Sequence, residues 1–202
     1  MIGYNLSVLL AERGLNVSKV SKDTGLSRIT LSALVNNTGQ GIQLETMNKL
    51  CQYLKIVPGD LFIYIPFDIS FKFQYTDNIT IEIEHNNNKY EYSLYYSIDQ
   101  QKTSIKNYLK EFVGYGCMLE LIVYRFEYEN EEKERDIIKN YLKQLPIQLY
   151  INFESEIKRK LNNLLNDRIE ELSQLEEFAN VDIENFYKEI DFSLDEIFEI
   201  KK

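Results

Sequence analysis

The spacing of the apolar residues changes near residue 65, and this change limits the chain to folds that join a helical part to a sheet-containing part. Before residue 65 apolar residues recur every three or four positions, and beyond it they alternate with polar residues. Only four of the 15 Tyr and 11 Phe lie in the first part, which indicates two different cores. Pro58 and Pro66 flank the change. We therefore predict two domains, residues 1–65 and residues 66–202, in a fold that is α+β overall.

The first domain is predicted to be all-α, with five short helices. Asn or Ser precedes the first turn of several helices, and Gly or Pro marks their boundaries. The first predicted helix lies around Leu6, Leu9 and Leu10 and ends at Gly14, and the second covers 17–24 after Asn16, with Val17 and Val20 inward. The third runs from Ser27 to about Asn36, with Leu31 and Leu34 inward. The fourth has the apolar stripe Leu44, Met47, Leu50, Cys51 and Leu54, and the fifth begins at Pro58 and contains Leu61 and Phe62.

The second domain is predicted to be α+β, with an antiparallel sheet and long helices. The runs FDISFKFQY, ITIEIEH and YEYSLYYSI, separated by the turn signals TDN and HNNNKY, predict a three-stranded antiparallel meander over 67–98. TSIKNYLKEFVGYG is predicted to be a helix and CMLELIVYRFEYE a long strand. Beyond Glu131 the pattern predicts a helix around 137–145, a long helix over about 147–178 and two short helical segments, DIENFYKEI and SLDEIFEI.

Composition excludes several functional classes. The chain is 44% hydrophobic with only 8 Gly and 3 Pro, which is typical of a folded protein. It has no apolar run of about 20 residues and no secretory signal, so we expect a cytoplasmic location and no membrane contact. Cys51, Cys117 and the single histidine, His85, form no catalytic or metal-binding pattern. We expect buried cysteines, no cofactor, no metal and no enzymatic activity.

Charge is unevenly distributed along the chain. The net charge is −9; residues 1–65 carry six basic and four acidic residues, a balance of +2, and the remainder carries 17 basic and 28 acidic residues, a balance of −11. An acidic whole disfavours broad affinity for nucleic acid, but a mildly basic N-terminal domain is compatible with local DNA binding.

The third predicted helix has two unlike faces. Projected at about 100° per residue, Arg28, Ile29, Ser32, Ala33 and Asn36 fall within roughly 140° of arc, and the aliphatic residues fall opposite. The small side chains allow close approach to base edges in a major groove about 12 Å wide. Arg28 lies in the first turn, where a helix tip meets bases. We interpret Ile29 as an apolar contact to a thymine methyl group or to a partner protein.

Residues 17–36, followed by LETMNKLCQYLKIVPGDLF, resemble the Cro/C1-type helix-turn-helix domain of phage and bacterial repressors, the XRE family. The resemblance covers about residues 3–63 and rests on the glycine of the turn, the inward leucines and the closing residues together. It implies a DNA-binding regulator of transcription. By this resemblance Arg28, Ile29, Ser32 and Ala33 face bases and Asn36 and Asn37 lie where such domains touch phosphate; Lys19 and Ser27 complete the predicted DNA-binding set.

Two positions depart from the family pattern. The family often has glutamine where this chain has Val17, and alanine where it has Ser21. Serine is small enough for a close crossing of helices, whereas Val17 removes one expected phosphate contact.

The small number of basic residues predicts a dimer. Six cations can neutralise only a few phosphates, so one domain alone should bind with modest affinity. A dimer doubles these contacts and reads two half-sites one helical turn apart. We therefore predict a homodimer through residues 66–202 that acts on double-stranded DNA as a repressor of bacterial or phage type. The sequence does not identify an inducer, whether protein or small molecule.

Several features have a second interpretation. The same helices could contact protein instead of DNA, as in an antitoxin, an antirepressor or an inhibitor of a host defence nuclease. The apolar stripe of 147–178 suits either a closed core or a dimer seam. The tyrosines of YEYSLYYSI suit a half-buried sheet or the lining of a ligand pocket. The carboxylates at 82, 84, 131, 132 and 134 are interpreted as solvated rather than metal-binding.

Overall fold

The chain folds into helices and strands, and the predicted α+β class is confirmed although individual elements differ from the prediction. The structure is a computed structural model that describes residues 1–39, 41–74, 77–106, 112–125, 132–178, 181 and 186–200. In chain order the elements are β1 (Ile2–Tyr4), α1 (Leu6–Glu12), α2 (Val17–Thr24), α3 (Arg28–Val35), α4 (Leu44–Leu54), a 3-10 turn (Pro58–Leu61), β2 (Phe62–Tyr64), β3 (Asp68–Gln74), β4 (Asn78–His85), β5 (Asn88–Lys106), β6 (Phe112–Tyr124), α5 (Glu132–Gln144), α6 (Ile147–Ser173), a second 3-10 turn (Glu176–Phe178), β7 (Phe186–Asp191) and α7 (Leu194–Ile197).

Two compact units can be distinguished along the chain. The first consists of Met1–Ile69 with Glu84–Asn88 and Gln144–Phe153, and the second of Ser70–Ile83, Lys89–Lys143 and Glu154–Lys202. The boundary predicted between residues 65 and 66 stays a prediction. The first unit continues to Ile69 and takes in two segments from later in the chain.

The first unit has an aliphatic core made by α1 to α4 and the first 3-10 turn. The buried side chains that form it are Leu6, Leu9, Leu10, Val20, Leu26, Leu31, Leu34, Leu50, Leu54 and Leu61. The prediction for Leu44 was wrong, because this side chain is 77% exposed. Leu44 is the first residue of α4; Leu50 and Leu54 are buried as predicted, and Thr46 is a buried position that the prediction missed.

A short two-stranded sheet accompanies these helices, so the N-terminal part is not all-α. Strand β1 pairs antiparallel with β2, with Gly3 opposite Ile63. A Cβ atom on Gly3 would lie 2.7 Å from Leu149 Cδ2, so the absence of a side chain permits this packing. The predicted fifth helix is only a 3-10 turn, and Phe62 already belongs to a strand. Three-residue strands show no periodicity that sequence could reveal.

The second unit contains a five-stranded sheet in the order β3-β4-β5-β6-β7. The first three strands are neighbours in sequence order, as the meander prediction requires. Asn86 and Asn87 join β4 to β5 with φ of +51° and +63°, the signature of a two-residue hairpin turn. Strands β5 and β6 are antiparallel, but β6 and β7 are parallel. The sheet is therefore mixed, rather than antiparallel throughout as predicted.

Two segments predicted to be helical are strands. Strand β5 runs to Lys106 and β6 begins at Phe112, so the helix predicted for 103–116 is wrong where the chain is described; residues 107–111 lie outside the described residues. Residues 186–191 form β7 instead of a helix, and 182–185 also lie outside. Residues 103–106 of β5 pair with 112–116 of β6, and 186–191 pair with 117–122 of β6. This pairing satisfies the backbone hydrogen bonds and overrides the local helix signals.

Helices α5, α6 and α7 correspond to three of the four helical segments predicted after residue 131. Helix α6 ends at Ser173, about five residues before the predicted end, and at about 1.5 Å per residue it is roughly 40 Å long. Its positions Ile157, Leu161 and Leu165 are fully buried, and Lys160 lies over the ring of Phe71 in β3. This burial favours the closed-core interpretation of the stripe over the dimer seam. Within the described ranges no helix is long and apolar enough to cross a bilayer.

The other face of the sheet carries an ion-pair network around Glu82, which is only 4% exposed. Its carboxylate accepts hydrogen bonds from Lys72 of β3 at 2.8 Å and from Lys89 of β5 at 2.9 Å. The hydrogen bond from Lys72, opposed by burial and aided by Lys89, lowers the pKa of Glu82 to about 2. The interpretation of Glu82 as solvated was wrong, because the two lysines cover it; Glu84 is exposed as expected.

Replacing Glu82 by Gln is expected to lower the free energy of unfolding at neutral pH by about 2 kcal/mol, because the depressed pKa means that the fold favours the charged carboxylate. Since the folded pKa lies below the unfolded one, this stabilisation is present above about pH 4.5 and lost as the pH falls toward about 2. Urea unfolding at a series of pH values measures it. Glu84→Gln, an exposed carboxylate on the same strand, should have little effect at any pH. An equal loss for Glu82→Gln at neutral and strongly acidic pH would contradict this account.

Candidate nucleic-acid interface

The turn between α2 and α3 is built around one glycine. Gly25 has φ of +71°, in the left-handed region, and its N–H donates to Ser21 O at 2.9 Å. Glycine adopts this conformation without the strain that a Cβ atom would bring. The turn then directs Leu26, which is only 8% exposed, into the aliphatic core.

Hydroxyl groups close the same turn. Ser21 Oγ donates to Leu26 O at 2.7 Å, and Thr24 Oγ1 donates to Val20 O at 2.7 Å while accepting from Leu26 N. Serine in place of the family's alanine is therefore accommodated with a hydrogen-bond partner. The angle between α2 and α3 is held by a fixed backbone conformation and by side-chain hydrogen bonds.

Ser27 begins α3, as predicted. Its Oγ accepts from Thr30 N at 3.1 Å, which satisfies one of the free N–H groups at the start of the helix. Its hydroxyl also lies 3.1 Å from Thr30 Oγ1. Ser27 is exposed, but its side chain has a structural role in addition to the DNA contact predicted for it.

The outward face of α3 forms a shallow open groove of about 380 Å³. It is lined by Arg28, Ile29, Ser32, Ala33, Asn36 and Thr38. Five of these six are predicted DNA-binding residues, so the structure brings this subset together. The sequence analysis missed Thr38, which follows the helix end on the same side; its signal was its position just after the two asparagines.

Ile29 is the most unusual residue of this groove, because its side chain is 84% exposed. Leu31 and Leu34 on the same helix are almost completely buried. Burying an isoleucine side chain is worth about 1.5–3 kcal/mol, and Ile29 contributes little of this to the fold. The projection that placed it outside the core is confirmed.

Asn37 lies at the end of α3, and its side chain is hydrogen-bonded to β1. It has φ of +54°, and Thr38 N returns to Ala33 O at 3.0 Å, which closes the helix in a Schellman-type arrangement. Asn37 Oδ1 accepts from Tyr4 N, and Asn37 Nδ2 donates to Tyr4 O. Its side chain is thus engaged within the protein and does not line the groove. A phosphate contact by Asn37 stays a prediction.

Lys19 also lies outside the groove. Its Nζ lies 3.5 Å from Asp23 Oδ2, one turn later on α2, and Tyr53 of α4 donates its hydroxyl proton to the same carboxylate at 2.7 Å. The Tyr53 hydrogen bond, together with Lys19, lowers the pKa of Asp23. The charge of Lys19 is therefore partly neutralised at this position, and its predicted DNA contact remains untested.

Half of the basic side chains of the N-terminal part lie beside carboxylates. Arg13 pairs with Glu12 at 3.4 Å, and Lys49 pairs with Glu45 at 2.9 Å. With Lys19 included, three of the six basic residues before residue 65 lie beside an acidic one. Arg28 is the basic residue that lines the groove. The groove is therefore nearly neutral, with one cation at its N-terminal end.

A second cavity, of about 670 Å³, lies in the second unit between β5 and α5. Tyr90, Tyr92 and Tyr95 line it together with Glu134 and Ile137. Tyr92 is nonetheless buried and packs edge-on against Phe198, as a core residue of a sheet would. Across the described ranges, no three His, Cys, Asp or Glu side chains are grouped so that they could hold a metal ion.

Comparison with known proteins concerns the N-terminal third of the chain. A family model described as a Cro/C1-type HTH DNA-binding domain matches residues 5–66. The uncharacterized HTH-type transcriptional regulator YozG of Bacillus subtilis (strain 168) is 35% identical over 60 residues, which cover 30% of this chain and 71% of that protein. No solved structure matches significantly. The matched region includes the whole groove on α3.

Replacing Gly25 by Ala is expected to lower the free energy of unfolding by about 1 kcal/mol, because a residue with a Cβ atom is strained at φ of +71°. Nothing lies within 4 Å of the added Cβ, so the cost comes from the backbone alone. Gly41→Ala is the matched control, since a Cβ there also meets nothing and its φ is outside the left-handed region. Thermal unfolding of both variants measures the difference, and equal stability would refute the role given to Gly25.

Proposed function

Because the chain belongs to the Cro/C1-type helix-turn-helix DNA-binding proteins, we propose that it is a sequence-specific transcriptional regulator that reads double-stranded DNA with the outward face of α3. The resemblance drawn from the sequence is confirmed for residues 5–66. The one observation that carries the proposal is the groove on α3, which combines an arginine, an exposed isoleucine and small side chains on a helix whose other face is fixed in the core.

In this proposal base recognition is divided among the groove residues by their chemistry. Arg28 is the first residue of α3, and its guanidinium suits the O6 and N7 acceptors of guanine. Ile29 suits the methyl group of thymine, an apolar feature of the major groove. Ser32 and Ala33 are small, so they permit the helix backbone to approach base edges closely.

Phosphate contacts are proposed for residues at the rim of the same helix. Asn36 lines the groove at its C-terminal end, and Ser27 is exposed at its start. Lys19 can contribute only by exchanging its pairing with Asp23 for a phosphate. These few contacts imply a shallow dependence of affinity on salt for one copy of the domain.

A homodimer through residues 66–202 is proposed to supply the remaining affinity. The sheet face that carries Glu82 also presents apolar side chains in solvent: Tyr187 is 51% exposed, and Met118 is its register partner on β6. Tyr124 is a further exposed apolar residue of β6 on this face. This patch supports association of two copies, whereas the stripe of α6 is already buried.

We further propose repression as the outcome, by occupation of a promoter in a bacterial or phage genome, which would place the protein in the cytoplasm. The competing function is a protein-interaction module such as an antitoxin, an antirepressor or a nuclease inhibitor, in which the exposed Ile29 would contact protein.

DNA selected from a random pool by the full chain should contain a preferred sequence, and Arg28→Ala should weaken its binding by about 1–3 kcal/mol while relaxing specificity at one position. Ile29→Ala should weaken binding only to sites that carry a thymine at one particular position. Fluorescence anisotropy at several salt concentrations measures both effects. Lys55→Gln removes an exposed charge outside the groove and should reduce affinity much less.

Two outcomes would contradict DNA reading by α3. One is that no sequence is retained from the pool even at low salt, which would favour the protein-interaction alternative. The other is that Arg28→Ala and Lys55→Gln weaken binding equally and for all sequences. Arg28 would then contribute only its positive charge and no base recognition.

Light scattering of the full chain at micromolar concentration is expected to give the mass of two 24.0 kDa chains. Tyr187→Asp should shift the protein toward a monomer, because it introduces a charge into the exposed apolar patch of β6 and β7. Leu175→Asp, at an exposed leucine after α6, is the control and should leave the mass unchanged. A monomeric unmodified chain would refute the dimer, and a dimeric Tyr187→Asp variant would exclude this patch as its interface.

A further inference from the structure

Three cationic side chains of the second unit converge on one carboxylate. Arg125 directly follows β6, Arg135 and Lys139 lie on α5, and Glu199 follows α7. All three cations lie within ion-pair distance of the Glu199 carboxylate. Their side chains are only 17–21% exposed, so most of each stem is removed from water.

The three cations are not equally satisfied by this carboxylate. Arg125 donates to Glu199 Oε1 at 3.0 Å and to Ile197 O at 2.9 Å. Arg135 Nη1 lies 3.9 Å from Glu199 Oε1, and Lys139 Nζ lies 3.8 Å from Glu199 Oε2. Both distances exceed hydrogen-bond length, so a single carboxylate does not reach all three donors.

Among the described residues, Arg135 has further donor capacity that no hydrogen bond uses. Its other ion pairs, to Asp136 at 3.6 Å and to Glu132 at 3.9 Å, are also longer than hydrogen bonds. Its Nε is buried and has no hydrogen-bond partner among the described residues. A buried N–H group without a partner costs free energy, and such groups are rare in folded proteins.

The end of α7 places Glu199 beside the three cations. Glu199 has φ of +52°, and Ile200 N donates to Asp195 O at 2.8 Å, so its left-handed conformation belongs to a Schellman-type helix end. Its carboxylate is attracted by the Arg125 hydrogen bond and by the charges of Arg135 and Lys139, which lower its pKa. The helix end and the three cations together fix the position of this anionic group.

We propose that Arg125, Arg135 and Lys139 form a binding site for the phosphate group of a small molecule, and that the Glu199 carboxylate occupies part of this site in the unliganded protein. A phosphate dianion carries more charge than a carboxylate, and its oxygens point in several directions. It can therefore accept hydrogen bonds from two arginines and a lysine together. The site lies wholly within the second unit and is independent of the groove on α3.

Titration of the full chain with inorganic phosphate tests the site, with isothermal calorimetry as the readout and chloride at matched ionic strength as the reference. The unmodified chain should bind one phosphate saturably, and Glu199→Gln should bind it several-fold more tightly because the competing charge is gone. Lys139→Gln should weaken binding about tenfold, the loss expected for one charge-assisted hydrogen bond. Lys133→Gln, which removes an exposed charge from the same helix, should leave binding unchanged.

Stability provides a second measurement. Glu199→Gln alone should lower Tm, because three cations lose their counter-charge, and phosphate should restore more of Tm in this variant than it adds to the unmodified chain. Arg135→Gln should abolish the phosphate effect; if that variant does not fold, Lys139→Gln serves instead.

The proposal is overturned if neither the unmodified chain nor Glu199→Gln binds phosphate saturably. It is equally overturned if Lys133→Gln weakens binding as much as Lys139→Gln, because the effect would then reflect general charge. Binding that sulfate reproduces with the same affinity would support an anion site but reject its assignment to phosphate dianions.

Discussion

The aliphatic cluster beneath α3 determines which side chains this helix can offer. Leu31 and Leu34 lie in that cluster, and burying each such side chain is worth about 1.5–3 kcal/mol. Rotating the helix by one position would move them away from the core and bring Arg28 or Thr30 toward it, depending on the direction of rotation. The residues that line the groove are therefore those that the core does not bury. Gly25 and the cap at Ser27 fix where the helix starts, and with it the position of Arg28 at the tip.

The groove has few basic residues for a surface that binds nucleic acid, and this limits how much electrostatic attraction can contribute to affinity. Half of the basic residues before residue 65 lie beside carboxylates, so the region around α3 attracts phosphate weakly. Selectivity must then come from shape and from contacts with base edges. The second unit, in contrast, contains a local excess of positive charge, because three cations converge on the single carboxylate of Glu199.

Local sequence signals predicted α3 well. The predictions that were wrong concern segments whose structure depends on pairing between residues far apart in the sequence. The outward face of α3 depends only on the helical repeat and on the caps at its ends, both visible in the sequence. The strands around 103–106 and 112–116 carry helix-like boundary residues, and only their pairing with each other makes them strands. Glu82 alternates like a solvated strand residue, and its burial depends on Lys72 and Lys89 of the neighbouring strands. Such cross-strand cover leaves no trace in periodicity.

The parallel pairing of β6 with β7 affects the order in which the second unit can form. Cys117 and Phe186, which open this pairing, are 69 residues apart, and α5 and α6 lie between them. Closing so long a connection has a high entropic cost and slows folding. During synthesis β6 cannot complete its pairing with β7 until residue 191 has emerged from the ribosome. Until then β6 lacks its partner β7, and unpaired strand edges are places where chains can associate.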